Sequence, residues 1–268
     1  MDTRPIGVFD SGVGGITAVK KLKEVLPGED ILYLGDTLRA PYGVRPIAEI
    51  VQFASEEAAF LAKRDVKAMI IACNTICVTS YEILQGLHDI PIYEVIGPAA
   101  KAAIAGTKNN KIGLIATPAT VKSGAYEAAV KKLLPTAQVF SEACPRLVSL
   151  VESGRCSSDD AEVFAVVEEY LAPLRDAEID TLILGCTHFP LLSDVISAVM
   201  GPEVCLINSG AEVIGRIAED LRNHDMLNAE GREGAVRYYV TGNAPSFAAT
   251  ASQFLGCDVA GLVETITL

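Results

Sequence analysis

Long hydrophobic runs are missing from this sequence. Half of its 268 residues are hydrophobic, yet no uninterrupted apolar stretch approaches the roughly 20 residues that a membrane helix needs. No membrane partner is therefore expected. Basic residues are also scarce: 22 Lys and Arg stand against 34 Asp and Glu, for a net charge of −12, and they are dispersed. That balance argues against a nucleic-acid surface. It still permits an anionic substrate in a pocket that is locally neutral or positive. Met1-Asp2-Thr3-Arg4-Pro5 leads straight into a strand-like run, without a basic segment followed by a hydrophobic one, so no signal peptide is expected. Seven scattered cysteines, an odd number, form no disulfide framework. The expected setting is a reducing cytoplasm.

The apolar residues that are present come in short runs, such as Ile112 to Ala116 and Thr181 to Leu184. Strands buried on both faces of a parallel sheet read this way. Further strands are predicted near Ile6–Phe9, Ile31–Leu34, Ala68–Ala72, Ile92–Ile96, Gln138–Ser141, Val204–Ile207 and Arg237–Val240. Between them lie helical patterns, for example Ile16, Val19, Leu22 and Leu26 on one face. Pro46 and Pro190 read as first-turn prolines, and Ser158-Asp159-Asp160 as a cap. Short apolar strands alternating with helices predict an α/β fold with mainly parallel sheets.

An internal echo organises the chain. Val66-Lys67-Ala68-Met69-Ile70-Ile71-Ala72-Cys73-Asn74-Thr75 matches Ile179-Asp180-Thr181-Leu182-Ile183-Leu184-Gly185-Cys186-Thr187-His188 position by position. A weaker echo pairs Ile6-Gly7-Val8-Phe9-Asp10-Ser11 with Ile112-Gly113-Leu114-Ile115-Ala116-Thr117. The similar offsets predict two pseudo-symmetric α/β domains, with the active site in the cleft between them. One is expected to comprise 1–97 plus 208–268 and the other 98–207.

Ligands of open parallel sheets bind at the carboxyl ends of the strands. Asp10-Ser11-Gly12, Asp36-Thr37, Cys73-Asn74-Thr75 and Cys186-Thr187-His188 sit at such ends, and Pro41-Tyr42-Gly43 and Thr117-Pro118 follow strands. Their hydroxyls, amide and backbone N–H groups suit a carboxylate. A cysteine opening a helix has its thiolate favoured by the helix dipole. Cys144, Cys156, Cys205 and Cys257 read as packing residues, whereas a duplicate at matched strand ends marks Cys73 and Cys186 as catalytic. Cys77, one turn beyond Cys73, reads as core.

Four chemistries use two thiols. A disulfide switch ordinarily has Cys-x-x-Cys, which is absent. A zinc site from Cys73, Cys77, Cys186 and His188 has a suitable ligand count but unusual spacing. A single nucleophile leaves the duplicate unexplained. Two-base inversion at carbon, one thiolate removing a proton while the opposite thiol delivers one, demands pseudo-symmetry and fits best. A zinc or redox module, and another carbon-acid enzyme such as a decarboxylase, remain the alternatives.

Asp10-Ser11-Gly12-Val13-Gly14-Gly15, Gly35-Asp36-Thr37, Pro41-Tyr42-Gly43, Ala72-Cys73-Asn74-Thr75 and Leu184-Gly185-Cys186-Thr187-His188-Phe189-Pro190-Leu191-Leu192 resemble the glutamate racemases, in order, from Ile6 to about Gly215. The resemblance implies interconversion of L- and D-glutamate for the bacterial cell wall, without cofactor or metal. It implies that Cys73 takes the α-proton of D-glutamate and Cys186 that of L-glutamate. Asp10 would assist Cys73, and His188 with Glu152 would assist Cys186. Ser11, Pro41, Tyr42, Gly43, Asn74, Thr75 and Thr187, with Asp10 and His188, would bind substrate, helped by Thr117 and Thr120. No lysine stands at a strand-end motif, so a pyridoxal Schiff base has no anchor. Ile76 and Asn208 depart from the family's usual small residue and aspartate. The absence of an N-terminal extension leads us to expect constitutive activity. Aspartate and hydantoin racemases share the paired cysteines, but aspartate racemases typically carry glutamate where His188 stands. A homodimer is compatible with the resemblance, which does not fix the oligomeric state.

Overall fold

The computed structural model describes residues 1–229 and 231–268. The first stretch of chain builds β1 (Ile6–Asp10), α1 (Ile16–Val25), β2 (Ile31–Gly35), α2 (Ile47–Ala62), β3 (Ala68–Ile71), α3 (Asn74–Leu87) and β4 (Ile92–Tyr93). The middle builds α4 (Ile96–Gly106), β5 (Lys111–Ala116), α5 (Pro118–Ser123), α6 (Ala125–Leu133), β6 (Gln138–Ala143), α7 (Pro145–Glu152), α8 (Ala161–Asp176), β7 (Thr181–Gly185), α9 (Ser193–Met200) and β8 (Cys205–Asn208). The end adds α10 (Ser209–Asn223), β9 (Val236–Val240), α11 (Ala244–Leu255) and β10 (Val263–Thr265).

Two sheets result, with strand orders β10-β9-β2-β1-β3-β4 and β6-β5-β7-β8, and every pair among the described residues is parallel. The predicted α/β class and its pseudo-symmetry are present in the pairing itself. In the first sheet Ile6 lies opposite Ala68, and in the second Ile112 lies opposite Thr181. These are the positions that the sequence echo equates. The central strands β1, β3 and β7 are buried along their whole length, as apolar runs in parallel sheets require.

Local differences from the predicted elements have local causes. The strand expected over Ile92–Ile96 stops at Tyr93, because the Glu94 carboxylate turns back to accept the Ile96 N–H at 2.5 Å and the Gly97 N–H at 3.0 Å. That opens α4 with an anion at its positive end. Pro46 precedes α2 as its N-cap, and Pro190 lies in a short 3₁₀ turn, Phe189–Leu192, ahead of α9. Asp160 caps α8 as predicted, accepting from the Glu162 and Val163 N–H groups. The edge strand β10 is three residues long and mostly exposed, too short for a hydrophobic period to reveal it.

Candidate active site

The strand ends bring the chemistry together. Asp10 closes β1, and Cys73 follows β3 as the extended N-cap of α3. Thr117 follows β5 as the N-cap of α5, and Cys186 follows β7 directly. A cavity of about 180 Å³ opens between the two sheets' carboxyl ends, with both cysteines in its lining. Such a volume suits a small metabolite. From the first half, Ser11, Pro41, Tyr42, Gly43, Asn74 and Thr75 line it. From the second come Thr117, Glu152, Thr187 and His188. Asp10 and Thr120 lie behind this lining.

The two thiols have unlike surroundings. Cys73 donates to Ser11 Oγ at 3.5 Å. Its burial, and next the charge of Asp10, push its pKa above the ordinary thiol value. Asp10 itself is fully buried and accepts from the Gly12 N–H at 3.2 Å, the Gly15 N–H at 3.1 Å and Thr187 Oγ1 at 3.1 Å. Burial raises its pKa, against the pull of His188 and of these donors. Its hydrogen bonds thus tie the glycine loop and the facing half together, and none among the described residues runs to Cys73.

Cys186 lies 3.6 Å from His188 Nδ1, while His188 Nε2 meets Glu152 Oε1 at 2.5 Å. Burial alone would lower the His188 pKa. The contacts with Cys186 and Glu152 outweigh it, and the imidazole is held well above its ordinary value. Glu152 shows the counterpart: burial raises its pKa, but the His188 partnership brings it below the usual range. A cationic imidazolium can donate from both nitrogens, to the carboxylate on one side and the sulfur on the other. One thiol therefore faces a carboxylate and the other a cation.

Hydroxyl and amide groups cross the cleft. Thr75 Oγ1 and Thr117 Oγ1 are 2.9 Å apart, and Thr117 Oγ1 donates to Thr120 Oγ1 at 3.0 Å. Thr120 thereby sets Thr117. Asn74 donates to Ser209 Oγ at 3.1 Å and accepts from the Tyr126 hydroxyl at 2.5 Å. The Tyr42 hydroxyl points away, into a buried pair formed by Asp36 and Glu57. What Tyr42 offers the cavity is its ring and backbone.

Pro118, from the Thr117-Pro118 motif, lines the cavity too, and Val44, Pro145, Val148 and Ser149 join it without having been anticipated. Pro145, Val148, Ser149 and Glu152 repeat at i, i+3, i+4 and i+7 along α7, a stripe that sequence could have marked once Glu152 was suspected. Ile76 is fully buried in the core, and Asn208 caps α10 through Gly210 N–H and Ala211 N–H. The latter is a task that asparagine performs as well as aspartate. Cys77 Sγ contacts the Ile71 carbonyl at 3.4 Å rather than joining Cys73, and no cluster of three metal-ligating side chains occurs among the described residues. No lysine among the described residues lines the cavity.

Residues 6–217 match the model of the Asp/Glu/Hydantoin racemase family. A glutamate racemase of Streptococcus gordonii is 46% identical over 270 residues, spanning 100% of both chains. Among solved structures, a glutamate racemase isoform of Bacillus anthracis superposes with a TM-score of 0.94 at 39% identity, over 100% of this chain and 99% of that one. A glutamate racemase of Francisella tularensis, solved in complex with D-glutamate, superposes with a TM-score of 0.90 at 38% identity, over 100% of this chain and 98% of that one. A Picrophilus torridus aspartate racemase, at 16% identity and a TM-score of 0.57, shares the fold. Similarity across the full length, joined to paired thiols at equivalent strand ends, places this chain in the Asp/Glu/Hydantoin racemase family.

Proposed function

We propose that this chain is a cofactor-independent racemase that interconverts L- and D-glutamate, with Cys73 and Cys186 as its two bases. The observation that carries the reading is that both thiols line one small cavity, each at the equivalent strand end of its own sheet. Buried beside Asp10, Cys73 is the thiol that holds its proton at rest. In the L-to-D direction the Cys186 thiolate takes the α-proton, the carbon becomes a carbanion, and the Cys73 thiol delivers its proton to the opposite face. Cys186 ends as thiol and Cys73 as thiolate, and the reverse reaction restores them. The α-proton is a very weak acid, so a dry pocket with fixed donors must stabilise the carbanion. Ser11, Asn74, Thr75, Thr117 and Thr187 are placed to supply such donors to the substrate's carboxylates.

The product suits supply of D-glutamate for peptidoglycan. The lobes act as two domains, 1–97 with 208–268 and 98–207, an assignment supported by the return of β9 and β10 to the first sheet. Seven free cysteines, with Cys73 and Cys186 required as thiols, suit a reducing cytoplasm. No helix among the described residues is long and apolar enough to cross a membrane.

The test is incubation with each glutamate enantiomer in D2O, following optical rotation and α-deuterium incorporation. Racemisation with exchange is expected, reduced by about 10³-fold or more in Cys73→Ser and in Cys186→Ser. Near-normal racemisation by either variant would sink the two-thiol reading.

A further inference from the structure

Behind the Pro41–Val44 wall of the cavity lies a buried acid pair that the proton-transfer scheme leaves unused. Asp36 follows β2 and Glu57 sits within α2, and both are fully shielded from solvent. The Tyr42 hydroxyl lies between them, hydrogen-bonded to Asp36 Oδ2 and 2.9 Å from Glu57 Oε1. A phenol has one proton to donate. Two carboxylates cannot both accept it, so one of them carries a proton of its own. Asp36 has the partners of an anion: Arg39 Nε reaches Oδ2 at 2.5 Å, and Thr241 Oγ1 donates to Oδ1 at 2.6 Å. Glu57 has no such support, and its Oε2 is without a partner among the described residues. Leaving an ionised oxygen bare in the interior costs far more than leaving a neutral one. Burial, and next the charge of Asp36, accordingly hold the Glu57 carboxyl well above the usual range.

The proton order is then fixed: Glu57 donates to Tyr42, and Tyr42 donates to Asp36. Phe53 tilts against the Tyr42 ring with centroids 5.6 Å apart, and the Arg39 guanidinium lies 4.0 Å over the Phe53 ring. On the cleft side the segment has no slack. A Cβ placed on Gly43 would sit 2.6 Å from Thr117 Cβ of the opposite wall.

We propose that Glu57, as a neutral hydrogen-bond donor, and Asp36 are positioning residues whose chain through the Tyr42 hydroxyl sets the Pro41–Val44 wall against which substrate is held. The proposal rests on the racemase reading of this cavity. Its test compares Glu57→Gln, whose amide still donates to Tyr42, with Glu57→Leu and Tyr42→Phe. Glu57→Gln is expected to keep KM within about twofold of wild type for both enantiomers. Glu57→Leu and Tyr42→Phe are expected to raise KM about tenfold, with a smaller change in kcat, because a displaced wall weakens binding. Infrared spectra of the substrate-free proteins should show a protonated-carboxyl C=O band in wild type that Glu57→Gln removes. Equal impairment of Glu57→Gln and Glu57→Leu would overturn the proposal, as would the absence of that band or wild-type KM values in Tyr42→Phe. Where Glu57→Leu fails to fold, Glu57→Gln, Tyr42→Phe and the band decide. A wild-type protein that leaves glutamate unracemised overturns the underlying reading instead, since the band is read without substrate.

Discussion

Glu152 reaches from the end of α7 to meet His188 Nε2 at 2.5 Å. Its ionisation and that of His188 are linked, and the link sets a pH window. The Glu152 carboxyl is depressed in the folded protein, so its contribution to stability is complete above its ordinary value of 4.5 and is lost as pH falls through the folded value. The His188 imidazole is elevated, so its contribution is complete below its ordinary value of 6.5 and is lost as pH rises through the folded value. Thermal unfolding of Glu152→Gln against wild type should therefore differ most between those two values and converge on either side. In the same variant kcat should fall about 10- to 100-fold, with the larger loss for L-glutamate, whose proton goes to Cys186 in the proposed scheme. Equal losses for both enantiomers would argue that Glu152 serves architecture rather than Cys186. Cys73, Cys186, Asp10 and His188 were all legible as residues, because each lies at a strand end or in the turn just beyond it. The roles of Asp36 and Glu57 were not, since Glu57 lies mid-helix and acts through Tyr42.

At the scale of elements, the loop between β1 and α1 is a spacer as much as a turn. A Cβ on Gly14 would lie 2.4 Å from Thr187 Oγ1 and 2.8 Å from the Thr187 backbone carbon. Gly14→Ala must push Thr187, and with it the bond to Asp10, out of place. We expect kcat/KM to fall about 10- to 100-fold for both enantiomers, and steady-state kinetics at saturating and limiting substrate would show it. The cap of α8 offers the contrasting case. Asp160 accepts the Glu162 N–H at 3.0 Å and the Val163 N–H at 3.3 Å, away from the cavity lining. Asp160→Ala should remove the cap, seen as a lower unfolding temperature with kcat and KM unchanged. Helices and strands were largely readable because their apolar periods are strong. The end of β4 and the whole of β10 were not, since a side-chain cap in one case and a three-residue edge in the other leave no period to read.

For the molecule as a whole, the two sheets face each other through polar groups across a cleft: Asp10 with Thr187, Thr75 with Thr117, and Asn74 with Tyr126. A ligand that bridges these walls binds the folded state alone and must stabilise it by mass action, by about 2.7 kcal/mol at a hundred times its Kd. L- and D-glutamate should each raise the unfolding temperature in a concentration-dependent way, and aspartate at equal concentration should raise it less. No shift with either glutamate enantiomer at millimolar concentration would count against the substrate.

The sequence by itself determined the alternation of elements, the two-fold echo and the placement of two cysteines at matched strand ends. All of these are local: a period, a spacing, a residue type beside a helix start. Only the tertiary structure decided which groups back each thiol. Asp10 turns to Thr187 across the cleft, the α7 stripe joins the lining, and Tyr42 turns its hydroxyl inward to Glu57. Burial and long-range contact set those choices, because the charge state of a group depends on what surrounds it in space. Cys73 beside a carboxylate and Cys186 beside an imidazolium start from echoing sequence, and the fold makes them different.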